Sequence, residues 1–184
     1  MKVALHICCA ICAAGAAERL MQEGYQVCGF FYNPNIYPEE EYLRRLENAR
    51  IVARELGFSL IEGEYLPDDW NIRVAGSESE PEGGKRCPIC FKMRLEKAYR
   101  FMQEHGCEAF TTTLTMGSNK PNELITRIGK AIGCDQFLSR DFKKKEGFKR
   151  AGELAHQWNL YRQNYCGCVY SLRQREVAAR HPHE

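Results

Sequence analysis

The sequence has almost no net charge, because 26 Lys and Arg residues face 24 Asp and Glu residues and leave a formal charge of +2. That balance excludes a protein that binds its partners through a generally basic surface, although a local basic patch remains compatible with it. Internal repeats are also lacking, and 44% hydrophobic residues exclude a disordered chain or a fibre. We therefore expect one globular domain over residues 1–184, with a frayed and inert tail at about 180–184.

Long apolar runs are lacking too, since no stretch approaches the ~18 residues of a membrane span. The one segment that imitates a secretory signal runs from Lys2 to the small residues before Glu18. It contains a histidine and three cysteines, and it passes directly into an amphipathic pattern instead of stopping at a cleavage site. We expect a cytoplasmic protein without a membrane partner, whose thiols are reduced and free to act as metal ligands or redox groups.

Hydrophobic periodicity predicts alternating strands and helices. The predicted strands cover residues 3–7, 27–32, 58–62, 109–114 and 136–138, and the predicted helices cover residues 10–22, 39–56, 88–104, 121–132, 146–158 and a segment after 170. Between them, residues 67–86 form a long polar loop with one helical turn around Trp70. Strands that alternate with helices of this length predict an α/β fold, with a Rossmann-like parallel sheet covered by helices on both faces.

Unusual residues follow the predicted strands at their carboxyl ends. Cys8 and Cys9 end the first strand, Tyr32 and its two nearby asparagines end the second, and three threonines end the fourth. Ligands of open parallel sheets bind beyond the carboxyl ends of the strands. The sequence therefore places a metal site at that edge.

Cysteine is the outlier of the composition, with 10 residues in a chain long enough to bury its own core. Seven of them form three tight groups: Cys8, Cys9 and Cys12; Cys87 and Cys90; Cys166 and Cys168. The other three, Cys28, Cys107 and Cys134, lie beside apolar residues and are interpreted as small buried hydrophobes. C-x-x-C and C-x-C spacings bring thiolates to one centre, and seven are too many for one structural zinc, which favours an iron–sulfur cluster with three ligands left over.

Two other interpretations use the same cysteines. A zinc-binding protein without catalytic activity would use them structurally, and labile sulfide distinguishes it from an iron–sulfur enzyme. A thiol-disulfide oxidoreductase would use Cys87 and Cys90 at a helix start, where the positive end of the helix lowers a thiol pKa. That alternative leaves five clustered cysteines without a role.

Five segments together resemble the QueH family of epoxyqueuosine reductases, in the right order and over residues 3 to about 175. The segments are His6 to Ala10, Gly29 to Ile36, Lys85 to Cys90, Phe110 to Leu114, and Leu160 to Cys168. The resemblance implies a cobalamin-independent oxidoreductase of queuosine biosynthesis. Its reaction would be the two-electron reductive removal of the epoxide oxygen of epoxyqueuosine, at the tRNA wobble position, to give queuosine.

The resemblance also implies the cofactors and partners, namely a [4Fe-4S] cluster, an adjacent mononuclear iron, a tRNA carrying epoxyqueuosine, and an external one-electron donor such as ferredoxin or flavodoxin. Cys12 is assigned to the single iron, because some relatives have an aspartate there and an oxygen ligand suits a single iron. One of Cys8 or Cys9 and one of Cys166 or Cys168 would join it, with Cys8 and Cys168 preferred. The cluster ligands are then Cys9, Cys87, Cys90 and Cys166.

Further residues are candidates for catalysis or for substrate binding. Tyr32 is assigned a catalytic role, and Asn33 and Asn35 are candidates for holding the substrate hydroxyls, unless these residues only form a turn. Tyr161, Arg162 and Gln163 are expected to stack on an unpaired anticodon base and to meet phosphate. The basic run from Lys143 to Arg150, and the pair Arg44 and Arg45, are either phosphate contacts or solvated faces.

Two departures from the family pattern accompany the resemblance. Ile11 stands where many relatives have a proline, which leaves the cysteine ligands in place. The segment after Leu114 reads TMGSNKP, where relatives tend to have Ser-Pro followed by Lys. Substrate contacts from that loop are therefore not expected.

Overall fold

A four-stranded parallel sheet forms the centre of the protein. The computed structural model describes residues 1–117, 120–144 and 146–180. The strands are β1 (Lys2–Ile7), β2 (Gln26–Phe31), β3 (Ser59–Glu62) and β4 (Ala109–Thr112), and their order in the sheet is β3-β2-β1-β4. All three pairings are parallel, as the predicted βαβ units require.

Within the described residues, seven α-helices surround the sheet: α1 (Ala10–Gln22), α2 (Glu39–Leu56), α3 (Pro67–Val74), α4 (Arg86–Glu104), α5 (Asn122–Gly133), α6 (Gly147–Gln157) and α7 (Val169–Arg180). Local sequence sets their ends. Three glutamates in the first turn of α2 complement the positive end of the helix, and Gly57 ends it at φ 74°, a conformation that favours glycine.

The helices bury two separate apolar cores on the two faces of the sheet. On one face Leu5 and Ile7 of β1 pack with residues of α1, α2 and α6. On the other face Ala4 of β1 and Phe110 of β4 pack with residues of α3, α4 and α5. This follows from the alternation of side chains along a strand. It confirms the α/β, Rossmann-like fold with helices on both faces.

Three predicted elements differ from the structure. The predicted strand 136–138 is a single bridge between Phe137 and Phe110, because the chain turns through a 3-10 segment immediately before it. The fourth strand ends at Thr112, whose side chain accepts the backbone N–H of Leu114 and starts a 3-10 turn. Within the polar segment 67–86, α3 has eight residues instead of one turn around Trp70.

Some sequence-based expectations concern residues outside the described ranges. These are the tail residues 181–184, Lys145 of the basic run, and Ser118 and Asn119 of the loop after β4. Among the residues that the structure describes, no helix has both the length and the apolar character needed to cross a bilayer.

The strand order creates a switch point between β1 and β4. From β1 the chain adds β2 and β3 on one side, and β4 then pairs with the opposite edge of β1. The connections on either side of this point diverge and leave a crevice at the carboxyl ends of the strands. Cys8, which directly follows β1, and Thr113, which directly follows β4, stand at this point.

Candidate functional site

Three cysteines meet where β1 joins α1. The sulfurs of Cys8, Cys9 and Cys12, which we call the cysteine triad, all lie within 4.8 Å of one another. Cys9 is the N-cap of α1, and Cys12 follows it by three residues on the same helical face. The triad is therefore built by one tight strand-to-helix junction, in which Cys8 and Cys9 are buried.

Thr113 ties the triad to β4. Its hydroxyl oxygen accepts the backbone N–H of Cys8 at 3.1 Å and lies 3.2 Å from the Cys8 sulfur, to which it donates. Hydrogen bonds from Cys12 and then Cys9 hold the pKa of Cys8 well below its usual range, whereas the same contact with Cys8 raises the pKa of Cys12 well above it. Cys8 is thus the first thiolate of the triad, and its two neighbours donate to it.

The other four grouped cysteines come from two later segments. Cys87 and Cys90 lie near the start of α4, and Cys166 and Cys168 lie in the three residues before α7. Burial raises the pKa of Cys166 to about 11, with the nearby Cys90 and Cys168 adding to the effect. We call these residues the cysteine quartet. Burial also raises the pKa of Cys87, with Cys90 and Cys168 adding to the effect, so the two segments lie near each other.

Two basic side chains stand between the triad and the quartet. Arg94 is 2% exposed, and Lys120 is partly buried. Burial alone would lower the pKa of Lys120, but the thiolates of Cys166 and Cys8 raise it above its usual value. Burial also disfavours the charged form of Arg94, but the nearby Cys90 and then Cys8 favour it, and the pKa of Arg94 is raised. Both cations therefore lie near cysteines of both groups.

A cavity of about 310 Å³ opens beside the quartet. Its lining includes Glu82, Gly117, Lys120, Gln163, Tyr165 and Cys166. It therefore joins a cysteine ligand candidate to polar groups that can hydrogen-bond a small polar molecule. Gln163 is the one predicted substrate-binding residue that lines this cavity.

The two asparagines after β2 make their polar contacts within the protein. Asn33 is completely buried, accepts Arg94 Nη2 at 2.5 Å and donates to the Ile7 carbonyl at 2.9 Å. Asn35 is 3% exposed and packs against Gly167, and its buried Oδ1 has no hydrogen-bond partner among the described parts of the chain. Asn33 thus positions Arg94, and substrate binding by either asparagine stays a prediction.

Tyr32 lies in the same buried cluster as Cys8, Cys9 and Cys90. Its carbonyl lies 3.1 Å from His6 Nε2, and Lys97 Nζ lies 5.7 Å from the centre of its ring. Burial, followed by the charge of Asp69, raises the pKa of its phenol. Its ring lines a second cavity with Lys97 and Asp69 instead of the one beside Cys166, and its catalytic role stays a prediction.

Tyr161 belongs to a buried network that holds the loop of Cys166. Its hydroxyl donates to Glu41 at 2.9 Å, and Glu41 accepts Arg45 Nε at 2.7 Å. Arg45 is 3% exposed and donates to the carbonyls of Tyr165 and Cys166 at 3.1 and 3.0 Å. Arg45 is therefore not a phosphate contact, because its charge is used inside the protein.

Arg162 is exposed, and its guanidinium donates only to the Gly152 carbonyl, at 3.4 Å, among the contacts of the described residues. Within the basic run, Arg150 is ion-paired with Glu18 at 2.7 Å and with Glu153 at 3.1 Å. Lys143, in contrast, reaches the Gly117 carbonyl at the cavity edge, at 3.5 Å. Within the basic run, Arg150 is therefore neutralised by carboxylates of the protein, whereas Lys143 lies at the edge of the cavity.

Sequence reasoning missed Arg94, Lys120 and the clamp formed by Arg45. Arg94 had a signal, since it follows Cys90 by four residues and so shares its helical face. Lys120 lies in the loop from which substrate contacts were not expected. The i,i+4 spacing of Glu41 and Arg45 predicts their ion pair, but it gives no sign of the two carbonyls that Arg45 holds, which are about 120 residues away.

The donor set fits a soft or borderline metal. Three converging thiols and a fourfold set nearby are the ligands that zinc and iron–sulfur centres take, and hard cations such as Mg²⁺ or Ca²⁺ take oxygen ligands instead. The two basic side chains compensate part of the negative charge that these thiolates carry. The described residues therefore suit a thiolate-bound metal centre.

Comparison with known proteins gives a consistent result. A family model described as epoxyqueuosine reductase QueH matches residues 3–174. The epoxyqueuosine reductase QueH of Haemophilus influenzae is 39% identical over 176 residues, which are 94% of this chain and 72% of that protein. The protein of that name from Acinetobacter baylyi is 38% identical, over 94% of this chain and 81% of its own length.

A more distant bacterium gives a similar match. The epoxyqueuosine reductase QueH of Thermotoga maritima is 34% identical over 179 residues, which cover 94% of this chain and 91% of that protein. The matched region contains the triad, the quartet and both basic side chains between them. The chain belongs to the epoxyqueuosine reductase QueH family of oxidoreductases.

Proposed function

We propose that this chain reduces epoxyqueuosine at the wobble position of tRNA to queuosine, in the cytoplasm. The observation that carries the proposal is the cysteine triad at the switch point of the sheet, in a member of this family. The reaction removes one oxygen as water and consumes two electrons and two protons. An external one-electron donor such as reduced ferredoxin or flavodoxin would supply the electrons.

The spacing of the sulfurs supports a division of the ligands. Two thiolates on one tetrahedral ion lie about 3.8 Å apart when each metal–sulfur bond is about 2.3 Å. The triad, with all its sulfurs within 4.8 Å, is close to that spacing. We therefore assign Cys8, Cys9 and Cys12 to the mononuclear iron.

The quartet is left for the [4Fe-4S] cluster, whose four thiolates bind four different irons and so stand further apart. This assignment exchanges Cys9 and Cys168 relative to the one made from the sequence. It keeps Cys12 on the single iron and keeps Cys87, Cys90 and Cys166 on the cluster.

When bound, the single iron supplies a Lewis acid for the epoxide oxygen, and the cluster supplies electrons one at a time. The residues of the chain bind and orient the substrate. In the cavity beside Cys166, the Gln163 amide is suited to the hydroxyls of the cyclopentane ring, and Lys120 offers three N–H donors. The buried walls around the triad exclude water from the reacting centre.

The measurement that tests the proposal is the content of iron, zinc and acid-labile sulfide in protein purified without oxygen. About five irons and four sulfides per chain would support the cluster with an adjacent iron. One or two zincs without sulfide, persisting after anaerobic reconstitution, would overturn the reductase in favour of a zinc-binding tRNA adaptor.

Turnover is the second part of the test. The reconstituted protein, given dithionite and an anticodon stem-loop that carries epoxyqueuosine, is expected to produce queuosine, detected by mass spectrometry of the nucleosides. A protein with the full cluster content that leaves the epoxide intact would contradict the proposed reaction.

A further inference from the structure

We propose that the start of α6 and the segments beside it form the docking surface for the anticodon loop of the tRNA. The surface consists of Lys143, Lys144, Phe148, Lys149 and Arg162, and we call it the α6 surface. The inference rests on the proposed function, because it assigns the place where the RNA around the modified nucleotide would bind.

Phe148 is the first observation. It is 65% exposed in the first turn of α6, although a phenylalanine is usually buried. An exposed ring among cations is the arrangement that proteins use to stack on unpaired bases, since every base offers a flat face. A single exposed aromatic residue is common on protein surfaces, so its surroundings have to carry the argument.

Continuity with the cavity beside Cys166 is the second observation. Gly117 lines that cavity, and its carbonyl accepts Lys143 Nζ at 3.5 Å. From the other side Gln163 lines the same cavity, and the preceding residue, Arg162, reaches the carbonyl of Gly152.

Helical spacing relates Phe148 to the contact between Arg162 and Gly152 at the cavity beside Cys166. Gly152 lies four residues after Phe148 and therefore on the same side of α6. If a nucleotide were bound in the cavity, the adjacent nucleotides of the anticodon loop would lie over Phe148. Lysines would then stand on one side of them and Arg162 on the other.

The charges of the surface are free to meet phosphate. In the described part of this region, Arg150 forms ion pairs with Glu18 of α1 and Glu153 of α6. Arg150 is not part of the α6 surface, so these two carboxylates do not neutralise the surface lysines. Lys144, Lys149 and Arg162 are exposed. Asp141 and Glu146 are the acidic residues nearest to this surface in the chain, and its four basic residues outnumber them.

Two occupants carry the matching negative charge, namely RNA and an acidic electron-donor protein. We favour RNA, because the surface borders the cavity where the nucleoside must enter and because Phe148 offers stacking, which a protein donor does not need. Lysine and arginine contacts to phosphate provide affinity and register, and the cavity would read the modified base.

The test measures binding of an unmodified anticodon stem-loop RNA by fluorescence anisotropy, which requires no turnover. Phe148→Ala is expected to weaken binding about tenfold through loss of stacking. The double variant Lys143→Ala with Lys144→Ala is expected to lower the slope of log K against log salt by about 1.4, since each lost phosphate contact on a single strand removes ~0.7.

Matched controls come from surfaces elsewhere in the chain. Leu43→Ala removes a side chain that is 54% exposed on α2, and Lys130→Ala removes an exposed cation at the end of α5. Both are expected to bind RNA as the wild type does. Melting temperatures of all variants show whether each one is folded.

Each outcome decides between the alternatives. Unchanged RNA binding and salt slope in folded Phe148 and lysine variants would overturn the α6 surface, as would a wild-type protein that does not bind the RNA. If the variants bind RNA normally but lose turnover with ferredoxin and not with dithionite, the surface docks the donor and our inference is wrong. If RNA binding depends on the α6 surface but the protein leaves the epoxide intact, the proposed function is wrong and the α6 surface still stands.

Discussion

Arg45 on α2 donates a hydrogen bond of 3.0 Å to the carbonyl of Cys166. A second donor of the same guanidinium holds the carbonyl of Tyr165, and Glu41 fixes the guanidinium from the other side. One buried cation thus holds the backbone that presents two cysteines of the quartet. Residues that never contact a metal can therefore determine how well the chain retains one.

Replacing Arg45 with methionine should loosen the loop of Cys166 and leave Glu41 buried without its cation. Loss of one partner of a buried ion pair costs about 3 kcal/mol or more of the free energy of unfolding. We also expect faster loss of iron from the reconstituted protein to a chelator. Arg45→Lys should recover part of the stability but not the retention, because one ammonium cannot bond both carbonyls as the planar guanidinium does.

Arg50→Met is the matched control on the same helix, because the Arg50 side chain is 48% exposed and its ion pairs lie at the surface. It should cost less than about 1 kcal/mol. Equal iron retention in the Arg45 and Arg50 variants would show that the clamp does not support the metal site.

Cys12→Ala tests the division of the ligands. The variant is expected to lose turnover and to bind about four irons and four sulfides, because the quartet is intact. Cys87→Ala is expected to lose most of the labile sulfide. Metal and sulfide analysis of both proteins after anaerobic reconstitution measures the difference. An active Cys12 variant would contradict the two-centre assignment.

Cys28→Ser is the cysteine control, since Cys28 is buried in β2 and belongs to neither the triad nor the quartet. It should lower the free energy of unfolding by about 1–3 kcal/mol, the cost of burying a hydroxyl in an apolar core, while metal content remains normal. Loss of iron without loss of stability would assign Cys28 to the metal site.

Thr113→Val should alter the triad without changing its shape much. The valine keeps the volume but removes the hydroxyl that contacts both the N–H and the sulfur of Cys8. We expect a shift of the thiolate-to-metal absorption bands of the metal-loaded protein and about 1–2 kcal/mol of destabilisation. Thr111→Val is the control, because that hydroxyl bonds the Leu138 carbonyl instead. Identical spectra in both variants would exclude a role for Thr113 at the triad.

His6 should make the fold sensitive to acid. Burial, followed by the charge of Arg94, lowers the pKa of His6 from 6.5 to about 3. The unfolded chain therefore binds one more proton than the folded chain between these two values, and stability falls as the pH drops below about 6.5. The loss approaches about 1.4 kcal/mol for each pH unit, until the pH nears the folded pKa.

Urea unfolding of the protein between pH 7.5 and pH 5 measures this effect. His6→Asn should be less stable at neutral pH but lose less stability on acidification. Exposed His156 provides the control, and His156→Gln should follow the wild type. Parallel curves for the His6 variant and the wild type would show that His6 is not the group responsible.

The sequence predicted the sheet and the cysteine groups because both have local signals. Strand and helix periods repeat over a few residues, and Cys87 with Cys90 or Cys166 with Cys168 are recognisable by spacing alone. The division of the ligands was not predictable in the same way. Spacing groups Cys8, Cys9 and Cys12, but it does not show how close their sulfurs lie or which later cysteines stand beside them, because those positions depend on the fold.

Roles of polar side chains near the site were harder to predict for a related reason. Tyr161 and Arg162 are neighbours in the sequence, and both were predicted to bind the substrate. Tyr161 donates a hydrogen bond to the buried Glu41, however, whereas Arg162 is exposed. Asn33 was expected to hold the substrate, but both ends of its amide bond the protein. Long-range partners decide such roles, and residue type alone does not reveal them.

The distance along the chain between the two ends of the site constrains when the cofactors can enter. Cys8 precedes Cys168 by 160 residues, so the triad is translated well before the quartet is complete. The triad alone could capture a stray metal ion during that interval. If the quartet holds the proposed cluster, insertion has to follow translation of Cys168, so the supply of cluster precursors would act on a folded protein and not on a nascent chain.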